Sequence, residues 1–334
     1  MAYLLPLSLA LLVGTSFGLS DKCYTLSIEG GGTHGAYEAG VLWSFANYIP
    51  AEERQWDIIT GISAGALNSR MCAQFNYGDE INMANAAINA WESLVEMSMI
   101  AAKWKQGSYY SMFFKPSLYN TEPMLDFLNG VCGTTINRNI TLGVTDYETG
   151  EFAEYNQTIG VELFTVASKA SASIPLVFAP TQLEGHWYGD GGVSINLNAD
   201  KGVSFCRELG YSDSNIVVDL IRDMNGQDRP VSMPMNNSKE VIDRANQISD
   251  YYNRRWFLFD FAHSFPNVDT RYVAEPSQQL PPPNGPPLDF TLGVMPWEVE
   301  LGKADGQKLV VNGMKGWEHL NLKKLSDIPT THYF

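Results

Sequence analysis

Three short stretches carry groups that could do chemistry together. The first is Gly61-Ile62-Ser63-Ala64-Gly65, which follows the apolar run Trp56–Thr60 and precedes a small-residue helical pattern from Ala64 to Phe75. Strand, tight turn and helix form the setting in which the serine of G-x-S-x-G becomes a nucleophile. Flanking glycines clear space, so the Ser63 hydroxyl can point outward and the Ala64 N–H can face a substrate oxygen. The second stretch is Glu29-Gly30-Gly31-Gly32-Thr33-His34-Gly35, between a strand at Tyr24–Ile28 and a helical face of Ala36, Val41, Leu42 and Phe45. Without side chains, its amides can converge on a negative oxygen beside a helix N-terminus. The third is Asp190-Gly191-Gly192, after the strand-like His186–Gly189. A hydroxyl nucleophile, a carboxylate base and amide donors for an oxyanion are the parts of an acyl-transfer site.

Two other chemistries compete for these residues. Gly30-x-Gly32-x-x-Gly35 also fits the dinucleotide fingerprint, with Glu52 or Glu53 about 20 residues on as the ribose ligand. In that fold the acidic residue ends the second strand. Here the second strand starts after Glu53 and ends at Ser63, which favours the oxyanion reading. A Ser-Asp-His triad would need one of five histidines: His34, His186, His263, His319 or His332. None is flanked by a recognisable triad member, and His263 and His319 stay open as alternatives. A free carboxylate is a weak base for an alcohol, and partial burial would raise its pKa and improve the match.

Around these residues the chain reads as an α/β fold with helices on both faces of a sheet. Ligands in such folds bind where loops leave the strand ends, which puts the glycine loop and Ser63 at one rim. Further elements are a long helical pattern over Glu80–Ala102 and a short helix over Thr121–Leu128 with Pro123 in its first turn. A hairpin joins Arg138–Tyr147 to Phe152–Tyr155, and Leu163–Ser168 is a further apolar run. Asn215–Ile221 reads as a buried strand and Ser238–Phe261 as a helix. Residues 276–287 are rich in proline and form a loop without regular structure.

Composition excludes some partners. The chain has 334 residues, 45% of them hydrophobic, and a net charge of −15 with only scattered basic pairs. Nucleic-acid binding needs clustered positive charge and is excluded. Whole-chain charge also disfavours attraction to anionic membranes, so lipid contact would rest on apolar and aromatic side chains. Trp104–Tyr119 supplies these, with Tyr109, Tyr110, Phe113 and Phe114 forming either core or an apolar rim. Residues 1–20 lack charge and read as a signal peptide cut near Gly18 or Ser20, with a membrane anchor as the rival. The expected location is secreted or lumenal. Residues 21–334 then form a single domain, with a core at about 24–222 and an extension after it. Cys23, Cys72, Cys132 and Cys206 allow three pairings and match no zinc spacing. Three glycosylation sequons begin at Asn139, Asn156 and Asn236.

Taken in order, Gly30–Gly35, Gly61–Gly65 and Asp190–Gly192 resemble the motifs of the patatin-like phospholipases. Thr145-Asp146, Thr149-Gly150-Glu151 and Ser171–Pro180 support the resemblance. It implies a three-layer α/β/α fold with a mainly parallel central sheet, and hydrolysis of a lipid or phospholipid ester through an acyl-enzyme. Ser63 would be the nucleophile and Asp190 its base, with Gly30, Gly31 and Gly32 as the oxyanion hole. No cofactor or metal is implied. A storage or lipid-binding protein of the same fold, without turnover, is the non-enzymatic alternative. One position departs from the pattern, since the family usually carries Arg or Lys where this chain has His34. Replacing a fixed charge by one that titrates should lower activity or shift its optimum to acidic pH. His34→Arg is therefore expected to move the pH–rate profile, and an unmoved profile would refute this role for His34.

Overall fold

The computed structural model describes residues 21–223, 236–282 and 287–317. Strands and helices alternate along them. The strands are β1 (Cys23–Ile28), β2 (Ile58–Ile62), β3 (Ala102–Lys103), β4 (Tyr119–Asn120), β5 (Ile140–Asp146), β6 (Phe152–Asn156), β7 (Thr181–Leu183), β8 (His186–Asp190), β9 (Ile216–Ile221) and β10 (Asp269–Ala274). The helices are α1 (Gly35–Tyr48), α2 (Ala64–Cys72), α3 (Glu80–Ser93), α4 (Ser108–Phe114), α5 (Glu122–Val131), α6 (Val161–Ser171), α7 (Ala199–Glu208), α8 (Ser238–Ser264) and α9 (Val294–Val311).

Side-chain alternation within the strands sets the layers. In β1, Tyr24, Leu26 and Ile28 join the larger core, while Cys23 joins the smaller one. In β9, Val217 and Ile221 face the larger core, and Ile216, Val218 and Leu220 the smaller. Helices α1, α2, α3, α5, α6 and α9 cover one face of the sheet, and α7 and α8 cover the other. The result is the expected three-layer α/β/α arrangement. Helix α1 lies between sheet and α9 and is buried on nearly every side. The segment after residue 222 is part of this architecture, because β10 pairs with β9 and α9 packs along α1. Among the described residues, no helix is long and apolar enough to cross a membrane.

The sheet order is β10-β9-β1-β2-β5-β8-β7. β10, β9, β1, β2 and β5 run parallel. β6 and β8 both pair antiparallel with β5. Since β6 occupies one edge of β5 over Thr141–Thr145, β8 must take the other edge, the one β2 uses. There β2 pairs as far as Ile62↔Gly143, and β8 pairs from Val144↔Asp190. Two strands thus meet end to end on one edge, and Asp190 arrives directly beyond Ile62.

Several expectations need revision. The helical pattern over Glu80–Ala102 breaks at Ser93, whose Oγ bonds back to Ala90 O while Leu94 leaves helical geometry. Of the apolar residues that share one helical face over this stretch, Ala84, Ile88, Trp91 and Leu94 are buried, whereas Ile81 and Val95 are exposed. The apolar run Leu163–Ser168 lies within α6, since a short buried run does not by itself separate strand from helix. The signal-peptide reading for residues 1–20 and the tail after 317 lie outside the described residues.

Cys23 and Cys206 form a disulfide from β1 to α7, while Cys72 and Cys132 are free and buried. The bridge closes a loop of 183 residues within the smaller core. Replacing both partners by alanine is expected to destabilise the fold by about 2–5 kcal/mol. Denaturant unfolding with the midpoint converted to free energy checks this, and an unchanged midpoint would contradict it.

Candidate active site

Ser63 sits between β2 and α2 with φ 51 and ψ −117. A left-handed backbone at a non-glycine residue costs about 1–3 kcal/mol and must be held by its surroundings. The surroundings here are tight. A Cβ on Gly61 would fall 2.2 Å from the Gly65 carbonyl oxygen, and one on Gly65 would fall 2.3 Å from the Ile28 carbonyl oxygen. Both glycines of the motif are thus fixed by close approach of backbone. The Ser63 N–H donates to Ser171 Oγ at 2.9 Å, and Ser171 in turn donates to Gly143 O at 2.6 Å.

The Ser63 hydroxyl donates to Asp190 Oδ2 at 2.7 Å. The other carboxylate oxygen, Oδ1, accepts from the Gly192 N–H at 2.8 Å, and Thr145 Oγ1 donates to the Asp190 carbonyl at 2.9 Å. Both side chains are buried. Burial pushes the Asp190 carboxyl up from 3.8 to about 6, against the opposing pull of the Ser63 and Gly192 hydrogen bonds and the Arg254 charge. No histidine among the described residues bonds to Ser63 or Asp190. His263 is exposed at the end of α8 and stacks on Phe259, and His319 lies outside the described residues. His186 pairs with Asp146 and Glu148.

The glycine loop lies against the same serine. A Cβ on Gly30 would fall 2.8 Å from Ser63 Cβ. Gly30 itself is clamped on both sides, because its N–H donates to Asn196 O at 3.1 Å and its carbonyl accepts from Asn196 Nδ2 at 2.8 Å. Its amide is therefore engaged, unlike those of Gly31 and Gly32, which meet no acceptor among the described residues. The Thr33 N–H, next along, donates to Pro287 O at 2.8 Å. A buried charged layer supports the loop from below. A Cβ on Gly31 would land 1.5 Å from Asp223 Oδ2. Asp223 is bonded by Arg254 and by His34 Nδ1, the latter at 3.2 Å. Burial acts to raise the Asp223 pKa, but Arg254 and His34 outweigh it and hold the carboxyl well below the usual range. Glu29, by contrast, is pushed up to about 7 by burial despite Arg222 and Arg254. His34 Nε2 lies 3.0 Å from Pro281 O, so the ring spans two acceptors.

A narrow apolar pocket opens on Ser63. Its wall includes Leu67, Met71, Trp91, Leu94, Phe127 and Phe178, and Thr33 and Ser63 bring the only side-chain hydroxyls. The dinucleotide reading fails here. Glu52 and Glu53 precede β2, at the end of the sheet opposite the glycine loop, and Glu53 is bound to Arg271. Among the described residues, one group has metal-ligand spacing: Asp146, Glu148 and His186, outside this pocket. Ser171 lay within the stretch that carried the resemblance, but its role under Ser63 had no sequence signal. Asn196 and the Asp223–Arg254 layer went unnoticed, since each acts across more than 100 residues of chain or from an unremarkable context.

An α/β/α fold with a serine on a strained elbow, bonded to a carboxylate rather than an imidazole, sets the class of protein. The chain belongs to the patatin-like phospholipase family, whose model matches residues 26–201. Membership places it generally among lipid acyl hydrolases. It is 24% identical over 250 residues to an uncharacterised protein of Acanthamoeba polyphaga mimivirus, covering 68% of this chain and 79% of that protein. The crystal structure of VipD from Legionella pneumophila aligns with a TM-score of 0.39 at 10% identity, over 88% of this chain and 67% of VipD.

The raised Asp190 pKa has a consequence for stability. A carboxyl whose folded pKa lies above its unfolded value favours the folded state at low pH, and that contribution is lost as pH rises through about 6. At pH 7.5 (roughly, and well above that transition) the buried charge opposes folding by about 3 kcal/mol. Asp190→Asn should therefore unfold at higher temperature than the parent at neutral pH, and the gap should close toward about pH 4. Calorimetry at both pH values checks this, and a gap independent of pH would count against it.

Proposed function

We propose that the chain hydrolyses a carboxylic ester of a lipid, with Ser63 as nucleophile and Asp190 as the single base. The observation that carries this reading is the 2.7 Å bond between the two side chains, with Ser63 itself lining an apolar pocket. In the first half-reaction Asp190 takes the Ser63 proton while Oγ attacks the ester carbonyl. The developing oxyanion would be met by the amides of Gly31 and Gly32, with Ala64 at the start of α2 as a further donor. One such donor is worth about 3–4 kcal/mol of barrier. Asp190 then returns the proton to the departing alcohol, leaving an acyl-serine. Water, deprotonated by Asp190, attacks that ester, and Asp190 passes the proton to Ser63 Oγ as it leaves, which releases the fatty acid and restores the hydroxyl and the carboxylate. The strained elbow keeps Ser63 at the end of α2, and the Asn196 clamp keeps Gly30 against it, so neither must reorganise during attack.

The apolar wall fits an acyl chain rather than a polar headgroup, which places the headgroup at the mouth. The Cys23–Cys206 bridge supports an oxidising compartment, in keeping with a secreted or lumenal protein. Labelling with a fluorophosphonate, followed by peptide mapping, tests the proposal. Attachment is expected at Ser63 and should be lost in Ser63→Ala. In Asp190→Asn, ester turnover should fall by at least about a hundred-fold, the lower range for general-base catalysis. In the parent, kcat/KM should rise with pH through about 6 as Asp190 ionises. Labelling elsewhere, or an Asp190→Asn variant that keeps its rate, would overturn the assignment.

A further inference from the structure

Between Ile100 and Tyr119 the chain leaves the domain as an arch. Its stem is the antiparallel pair β3–β4, and its tip is the short helix α4. Trp104 Nε1 donates to Ser117 O, and Ser111 Oγ lies 3.3 Å from Leu118 O, so the helix rests back on the stem. Ser111 is the one buried residue of α4. Tyr109, Tyr110, Met112, Phe113 and Phe114 are 41–84% exposed. Five large apolar side chains on seven consecutive helical residues form a patch that water disfavours, and such patches mark interaction sites. Tyr109 packs on Phe113 and Tyr110 on Phe114, which keeps both pairs outward.

Both feet of the arch stand in the wall of the Ser63 pocket. Ile100, just before β3, lines it. On the other side, Leu118 and Tyr119 donate to the carbonyls of Leu176 and Val177, and Tyr119 bridges Phe178, also a lining residue. Leu176 is itself exposed, with φ +70. The arch is therefore anchored at both ends beside residues of the pocket wall.

Charge identifies what it meets. The chain carries −15 overall, yet residues 97–121 contain Lys103, Lys105 and Lys115 and no Asp or Glu. Lys103 and Lys105 are exposed, and Lys115 Nζ sits 4.8 Å from the centre of the Trp104 ring. On a chain that is acidic overall, a basic, aromatic projection is the part that a negative surface attracts. We propose that the arch docks the protein on an anionic phospholipid surface. Phe113, Phe114 and Tyr109 enter the interface, the lysines meet headgroup phosphates, and the Ser63 pocket opens beside the lipid. The proposal rests on the lipid-ester reading for its purpose, but binding is measured separately from turnover.

The test uses the full chain carrying Ser63→Ala, floated with vesicles of phosphatidylcholine alone or mixed with phosphatidylglycerol. Binding is expected to the mixed vesicles and to weaken with added salt. Phe113→Asp with Phe114→Asp should reduce partitioning at least about ten-fold. The triple change Lys103→Gln, Lys105→Gln, Lys115→Gln should do the same for mixed vesicles alone. In the Ser63 background, both sets should hydrolyse a soluble short-chain ester at the parental rate, which also shows that they fold. Absence of vesicle binding by the parent, or equal binding by both variants, would overturn the proposal. So would a parental dimer that the Phe113 and Phe114 changes dissociate, since the patch would then cover a second copy. If Ser63 resists fluorophosphonate while the arch still binds vesicles, the hydrolase reading falls and the docking surface stands.

Discussion

The site depends on one feature of strand pairing. Strand β5 is long enough to be shared, and β2 uses its edge only as far as Gly143. The remainder of that edge is taken by β8 coming from the opposite direction. A strand running antiparallel into the end of a parallel one points its terminal residue at its neighbour's terminal residue. Ser63 follows the last residue of β2, and Asp190 is the last of β8. Two side chains 127 positions apart in sequence are brought to one hydrogen bond by ladder geometry, with no need for a long flexible side chain. Gly143 serves both strands. It pairs with Ile62, and its carbonyl accepts the Ser171 hydroxyl that in turn receives the Ser63 amide.

A second constraint works from beneath. The glycine loop has no side chains with which to hold itself, so its shape must come from what it touches. Asn196 grips Gly30 from one side, and the Asp223 carboxylate lies against Gly31 from the other. Asp223 is in turn fixed by Arg254 of α8, and Arg222 links Glu29 to Glu275 after β10. Buried charges of this kind contribute little net stability, because desolvation offsets their attraction. What they supply is position: a carboxylate bonded on two sides does not move, and neither does the bare backbone pressed on it. The segment after residue 222 thereby becomes part of the site, although it lies beyond the matched region of residues 26–201.

These two constraints explain what the sequence revealed. Ser63, Asp190 and the loop Gly30–Gly32 were legible because each sits in a short stretch with a local reason to be there: an elbow, a strand end, a side-chain-free turn. Their partners were not. Asn196 is an ordinary Asn in an irregular segment, and Arg254 reads as a surface charge on a helix. Their significance exists only after β8, β9 and β10 have been placed. The layers were legible from the succession of strand and helix patterns along the chain. The end of α3 at Ser93 was not, since the apolar spacing continues to Val95 while the chain turns so that Leu94 can face the pocket. The aromatic stretch was ambiguous for a related reason. Composition describes Tyr109–Phe114 equally well as core or as rim, and only packing shows that Tyr109, Tyr110, Met112, Phe113 and Phe114 all lie exposed. Whole-chain charge averages over that segment, since residues 97–121 carry three lysines and no acidic residue.

Burial of Asp190 connects the chemistry to the rest of the molecule. In water a carboxylate is too weak a base to take a proton from an alcohol at a useful rate, and its usual remedy is a histidine between the two. In the proposed dyad the carboxyl touches the hydroxyl directly, so its basicity must come from its surroundings. Desolvation provides it, and the same desolvation disfavours the folded state at neutral pH. The two effects cannot be separated, because both come from excluding water from Asp190. Hydrogen bonds from Ser63 and Gly192 limit the rise to about 6, leaving the carboxylate ionised at neutral pH and more basic than an exposed one. A drier site would leave the group protonated and without a base function, and a wetter one would leave it a weak base. The position of β8 on β5 sets that compromise, since it decides both how deep Asp190 lies and which two donors reach it.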